Sequence, residues 1–106
     1  MFVILWEFEV KPGHEQSFQS AYGPEGPWVQ LFRRDPGYLR SLLLKDSSRP
    51  RTYLTLDFWH SENAFRSFQS ANHEAYLALA RTTEDLTLRE THLGSFTQTE
   101  PLDPSA

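Results

Sequence analysis

The run from Phe2 to Trp6 is apolar at every position, and Glu7 and Glu9 then alternate with Phe8 and Val10. Its β-branched and aromatic content predicts a strand over 2–10, covered on both faces in its first half. Lys11-Pro12-Gly13 ends it, and Pro12 suits the first turn of a helix. That helix carries His14, Phe18 and Ala21/Tyr22 on one stripe and breaks at the Gly- and Pro-rich segment 23–27. Residues 28–34 make a second short helix that buries Trp28, Leu31 and Phe32, and Asp35-Pro36-Gly37 is a turn. A strand follows over 38–45, then a hairpin connection over 46–50. The next strand, 52–59, has period two, with Leu54, Leu56 and Phe58 on one face and Tyr53, Thr55, Asp57 and Trp59 on the other. Ser61 is an N-cap with Glu62 in the first turn, and Ala64, Phe65 and Phe68 form the helix's apolar stripe. A helix over 73–84 and a strand over 86–97 complete a single domain, 1–97, with a flexible tail over 98–106.

An internal echo organises these elements. Ser17-Phe18-Gln19-Ser20-Ala21 recurs as Ser67-Phe68-Gln69-Ser70-Ala71, and Glu7-Phe8 meets Asp57-Phe58 at the same offset. Two strand–helix–strand halves give an α+β class: a ferredoxin-like βαββαβ fold with a four-stranded antiparallel sheet in the order 4-1-3-2. Ile4, Trp6, Phe8, Leu54, Leu56 and Phe58 are assigned to the face beneath the helices. The other face then carries Val3, Leu5, Tyr53, Thr55 and Trp59 beside Glu7, Glu9 and Asp57. That surface is too apolar for an uncovered antiparallel sheet, so a second copy of the chain is expected to cap it. Glu7 and Asp57 would sit together on adjacent strands; a carboxylate pair can serve acid–base chemistry, but the preferred reading is structural, as the rim of that interface or as partners of Arg40 or Arg89.

Composition narrows the function. The chain has 106 residues, a net charge of −4 and no cysteine, which removes disulfides, thiolate chemistry and thiolate metal sites. Neither a nucleic-acid surface nor a membrane span is expected: basic residues come only in short pairs, and no apolar run nears the ~20 residues a span requires. With no signal-peptide pattern at the N-terminus, the expected location is the cytoplasm. Aromatic residues are abundant, at 14% of the chain, and such side chains fill a core or line a cavity.

The first strand through Lys11-Pro12-Gly13, the later Gly37-Tyr38-Leu39 and the run Phe58-Trp59-His60-Ser61-Glu62-Asn63-Ala64-Phe65 together resemble the antibiotic biosynthesis monooxygenase (ABM) superfamily. The resemblance extends over residues 2–97 and implies a dimeric α+β barrel with a cavity between sheet and helices in each subunit. It implies activities of more than one kind. Some members oxidise aromatic polyketides to quinones without a cofactor. Others degrade haem through an Asn, a Trp and a His, whose positions here hold Trp6, Phe68 and Ala78; that activity is therefore not expected.

An oxygenase without a cofactor needs an apolar box, a general base and a donor for a developing oxyanion. Trp6, Tyr22, Trp28, Phe32, Phe68 and Tyr76 are candidates for the box. His73 and His92 are candidate bases, and Tyr22 or Arg40 the donor. No two histidines have metal-ligand spacing, and there is no glycine-rich phosphate loop, so neither a metal nor a cofactor is implied. The expected function is cofactor-independent monooxygenation of a small aromatic or phenolic compound by a homodimer. The alternatives are a non-catalytic domain that binds a small molecule and a structural dimer with a filled cavity. A void of at least ~300 Å³ with two or more convergent polar groups favours either ligand-binding function over the filled dimer.

Overall fold

The computed structural model describes residues 1–99. Its elements are β1 (Phe2–Val10), α1 (Glu15–Tyr22), α2 (Pro27–Phe32), β2 (Tyr38–Lys45), β3 (Thr52–Trp59), α3 (Glu62–Ala71), α4 (His73–Thr83), a 3-10 turn (Glu84–Leu86) and β4 (Thr87–Thr97). The tail expected over 98–106 lies, from residue 100 on, outside the described residues. The strands form one antiparallel sheet in the order β2-β3-β1-β4, so the fold is the expected ferredoxin-like α+β arrangement. Among the described residues no helix is long and apolar enough to cross a membrane.

Register overturns the face assignment of β3. Phe2 stands opposite Trp59, Ile4 opposite Asp57, Trp6 opposite Thr55 and Phe8 opposite Tyr53. Directly opposed residues share a face. Tyr53, Thr55, Asp57 and Trp59 therefore lie under the helices with Ile4, Trp6 and Phe8, while Leu54, Leu56 and Phe58 point away. Trp59 is 0% exposed and Tyr53 2%. The same register separates Glu7 from Asp57, for Glu7 lies opposite Leu54 and on the outer face. There it pairs with Arg49 at 2.6 Å, and Glu9 pairs with Arg89 at 2.9 Å.

The helices cover one face through two aromatic clusters. Phe2, Ile4, Trp28, Leu31, Phe32, Trp59 and Phe68 form the larger; Phe8, Val10, Phe18 and Tyr53 form the smaller. Trp6 and Tyr22 pack against both, which places them at the seam. Ser61 caps α3 by accepting from the Ala64 N–H at 3.1 Å. Close contact between α3 and the start of β2 depends on Gly37: a Cβ there would lie 2.5 Å from Ala64 Cβ. The Gly37 carbonyl also accepts from the His60 N–H at 2.7 Å, so the backbone has little room to retreat. Gly37→Ala is expected to cost about 1–3 kcal/mol through overpacking. That lowers the melting temperature by about 5 °C or more; an unchanged melting curve would mean that helix and strand stand further apart.

The uncovered outer face is more apolar than the sequence assignment made it. Leu42 and Leu5 flank Leu56, Leu44 flanks Leu54, and Val3 lies between Phe58 and Phe96. Leu42, Leu44 and Phe96 are 38%, 45% and 52% exposed in the single chain.

Candidate active site

At the seam between the two clusters the helices do not close fully on the sheet. A cavity of about 100 Å³ remains there, walled by the aromatic rings of Trp6, Phe8, Tyr22, Trp28, Phe32 and Tyr76. Its polar groups come from all sides: Ser41 on β2, Thr55 and Asp57 on β3, Thr83 at the end of α4 and Glu90 on β4. Convergent polar groups are therefore present, while the volume falls short of the ~300 Å³ that would favour a ligand-binding function over a filled cavity. An apolar void of about 150 Å³ accommodates a benzene ring, so a single ring would enter this cavity only if the side chains lining it moved apart.

Asp57 is the chemical centre of this cavity. The strand alternation that turns Tyr53 and Trp59 inward turns Asp57 inward with them, onto an aromatic wall. The surrounding protein strips water from its carboxyl and pushes its pKa up to about 6. The Ser41 hydroxyl opposes that shift by donating to Asp57 Oδ1 at 2.6 Å, and the Tyr38 hydroxyl lies 2.8 Å from Ser41 Oγ. Asp57 thus changes charge near neutral pH, where a general base works best.

Hydrogen-bond donors face the same space. Burial pushes the Tyr22 phenol up to about 12, so it stays protonated, and its hydroxyl donates to Thr83 Oγ1 at 3.3 Å. Burial also raises Tyr76. The Trp28 indole N–H is buried with no partner of hydrogen-bonding geometry, although it lies near enough to Tyr22 to favour that residue's phenolate. An unpaired buried donor is costly unless something accepts from it. A ligand oxygen would do so.

Of the residues singled out in the sequence, Trp6, Tyr22, Trp28, Phe32 and Tyr76 come together in the lining. Phe68 does not: it is 0% exposed and packs in the core, 4.9 Å from Trp59 and 5.5 Å from Phe32. Arg40 lies on the outer face, its guanidinium 4.8 Å from the centre of the Phe58 ring. His73 is exposed at the first position of α4 and is not in the lining. His92 is exposed on β4 outside the lining, with its ring 5.0 Å from Trp6 and Nε2 3.3 Å from Ser95 Oγ. Ser41, Thr83 and Glu90 were not singled out by sequence pattern, and Asp57 was given a structural place. The available signal was Asp57 itself, the one acid in an alternating set of Tyr53, Thr55 and Trp59.

A sequence model of the antibiotic biosynthesis monooxygenase family matches residues 1–81. No curated protein sequence matches the chain. Among solved structures it is similar to SnoaB, a cofactor-independent oxygenase from Streptomyces nogalater, with 25% identity over 95% of each chain and a TM-score of 0.75. A Deinococcus radiodurans protein provisionally named for the same family superposes over 97% of both chains, with a TM-score of 0.77 and 14% identity. PA3566 from Pseudomonas aeruginosa is 17% identical over 92% of this chain and 93% of its own, with a TM-score of 0.65. The last two likenesses are likenesses of fold.

Proposed function

The chain belongs to the antibiotic biosynthesis monooxygenase family, and from that premise we propose that it is a cofactor-independent monooxygenase of a small aromatic or phenolic compound. The observation that carries the proposal is Asp57: an inward carboxylate with a raised pKa, on the wall of an aromatic cavity that also offers phenol and indole donors. The similarity to the Streptomyces nogalater oxygenase supports it.

The chemistry requires a substrate that is its own reductant. Asp57 takes the phenolic proton, leaving a phenolate rich enough in electrons to pass one to dioxygen. The two radicals combine to form a carbon–oxygen bond at the ring, and Asp57 returns its proton to the peroxide. Loss of the ring hydrogen with cleavage of the O–O bond releases water and leaves a quinone carbonyl. One oxygen atom enters the product and the other leaves as water, with no outside electrons. Trp28, whose indole N–H has no partner among the described residues, would hold the oxyanion, joined by Tyr22 once its hydroxyl turns away from Thr83, an electrostatic contribution that grows in a dry cavity. The aromatic walls would keep out water and stack on the ring. The small void favours a single ring.

We also propose that the outer face is covered by a second copy of the chain. Its Leu42, Leu44, Leu54 and Leu56 lie side by side as an apolar surface of the kind that marks an interface, with Arg40 lying over the neighbouring Phe58. Two-fold pairing is the simplest closed solution for one such face.

Oxygen uptake on di- and trihydroxybenzenes, with no added metal, flavin or haem, tests the activity. The expected result is one dioxygen consumed per quinone formed, with a single labelled atom in the product from ¹⁸O₂. No uptake on any phenolic substrate would instead favour the binding or structural alternatives, and the small void is the observation that supports the structural one. His73→Ala is expected to turn over like the parent, because its side chain is exposed and away from the cavity. For a substrate whose hydroxyls stay protonated to pH 8, kcat/KM should rise with pH through about 6, as Asp57 ionises. A profile flat from pH 5 to 8 would remove Asp57 from the role of base.

A further inference from the structure

Glu90 is the group of this site that the reaction above leaves unused. It sits on β4 opposite Phe8, lines the cavity and yet remains exposed, which places it at the opening. Its one side-chain hydrogen bond among the described residues is a long one, accepted from Thr87 Oγ1 at 3.5 Å, and no cation pairs with it there. Asp57 lines the same cavity from β3, two strands away, opposite Ile4 where Glu90 is opposite Phe8. Among the described residues, the lining therefore holds two carboxyl groups and no Arg, Lys or His.

We infer that Glu90 is a specificity-determining residue that makes the cavity reject anionic aromatic compounds and accept neutral or ammonium-bearing ones. The charge balance argues for it directly. A ring carrying a carboxylate would bring a third negative group into a space with no positive side chain to meet it, and like charges a few ångströms apart repel even at an opening where water screens them. A ring carrying an ammonium group would find Glu90 at the opening and aromatic faces along the walls, both of which attract cations. The field of Glu90 reaches inward, since its charge is among the influences that raise the Tyr22 and Tyr76 phenols. Its own carboxyl is also raised by burial, as expected for an acid without a counter-ion. This inference rests on the cavity being a ligand site, as proposed above, and adds the charge of the ligand.

The test is equilibrium binding, followed by tryptophan fluorescence or calorimetry at pH 7.5, for three probes of one ring size: 4-methylcatechol, 3,4-dihydroxybenzylamine and 3,4-dihydroxybenzoate. The protein should bind the benzylamine most tightly, and should bind the benzoate about tenfold or more weakly than 4-methylcatechol. Glu90→Gln, read as ratios between probes within the variant, should narrow the gap between the benzoate and 4-methylcatechol by about threefold or more and erase most of the preference for the amine, the remaining discrimination being that of Asp57. Benzoate binding equal to that of 4-methylcatechol in the parent, or an unchanged ratio in Glu90→Gln, overturns the assignment of Glu90 alone. Failure of all three probes to bind the parent overturns the ligand site itself, and the charge filter with it.

Discussion

Replacing Asp57 by Asn should lower turnover by about 10²–10⁴, the usual range for removing a positioned general base, and should make the protein more stable. Activity and stability move in opposite directions for one reason. Burial holds the Asp57 carboxyl at about 6, above its ordinary 3.8, so folding opposes ionisation. A group raised in this way stabilises the fold fully below its unfolded pKa and loses that contribution as the pH climbs through its folded value. A shift of about two units corresponds to about 3 kcal/mol. Asn matches the size of Asp, can still accept from Ser41, and carries no charge to desolvate. At pH 8 Asp57→Asn should therefore be more stable by about 1–3 kcal/mol, and near pH 3, below the unfolded value, the difference should vanish. Melting curves at the two pH values, read beside the rate, separate a catalytic acid from a structural one. A structural Asp57 would give a variant that is less stable at both pH values and active in proportion to its folded fraction.

The second large effect concerns the outer face. Leu56 lies at its centre, between Leu5 on β1 and Leu42 on β2. In a two-fold dimer Leu56→Asp would bury two carboxylates, one from each subunit, with no partner for either. Such a penalty amounts to several kcal/mol. The variant should sediment as a single chain at concentrations where the parent is a dimer, and should keep its far-ultraviolet circular dichroism, because the position is on the surface of the isolated domain. A parent that stays monomeric at hundreds of micromolar, or a variant that still dimerises, would place the interface elsewhere.

The order of elements and the strand order were legible because the chain punctuates itself. Lys11-Pro12-Gly13, the segment 23–27, Asp35-Pro36-Gly37 and Ser61 each stop or start an element where the structure does. The inward face of β3 was not legible, and the internal echo is the reason. Phe18 and Phe68 are equivalent, both 0% exposed, and Phe18 follows the inward Phe8 by ten residues. Phe68 follows the inward Trp59 by nine, so the strand-to-helix connection differs between halves by an odd number of residues. A slip of one residue exchanges the faces of a strand. Alignment at the helix therefore carried Leu54, Leu56 and Phe58 inward on paper and Asp57 outward. Hydropathy did not correct the slip, because both faces of β3 carry large apolar groups. Asp57 lost its place in the site for that reason alone. Glu90 was hidden differently: β4 is an edge strand with two register shifts, and its exposure follows no simple alternation.

The claim on which the functional account depends is that Asp57 sits in a cavity able to hold a ligand, with its carboxyl poised near neutrality. Carboxyl ¹³C chemical shifts followed against pH, with and without 4-methylcatechol, report on that atom group directly. The expected titration is centred near 6 in the free protein and moves when the catechol is added. A midpoint in the ordinary carboxylate range, indifferent to the ligand, would mean that Asp57 faces water and that the cavity has no base.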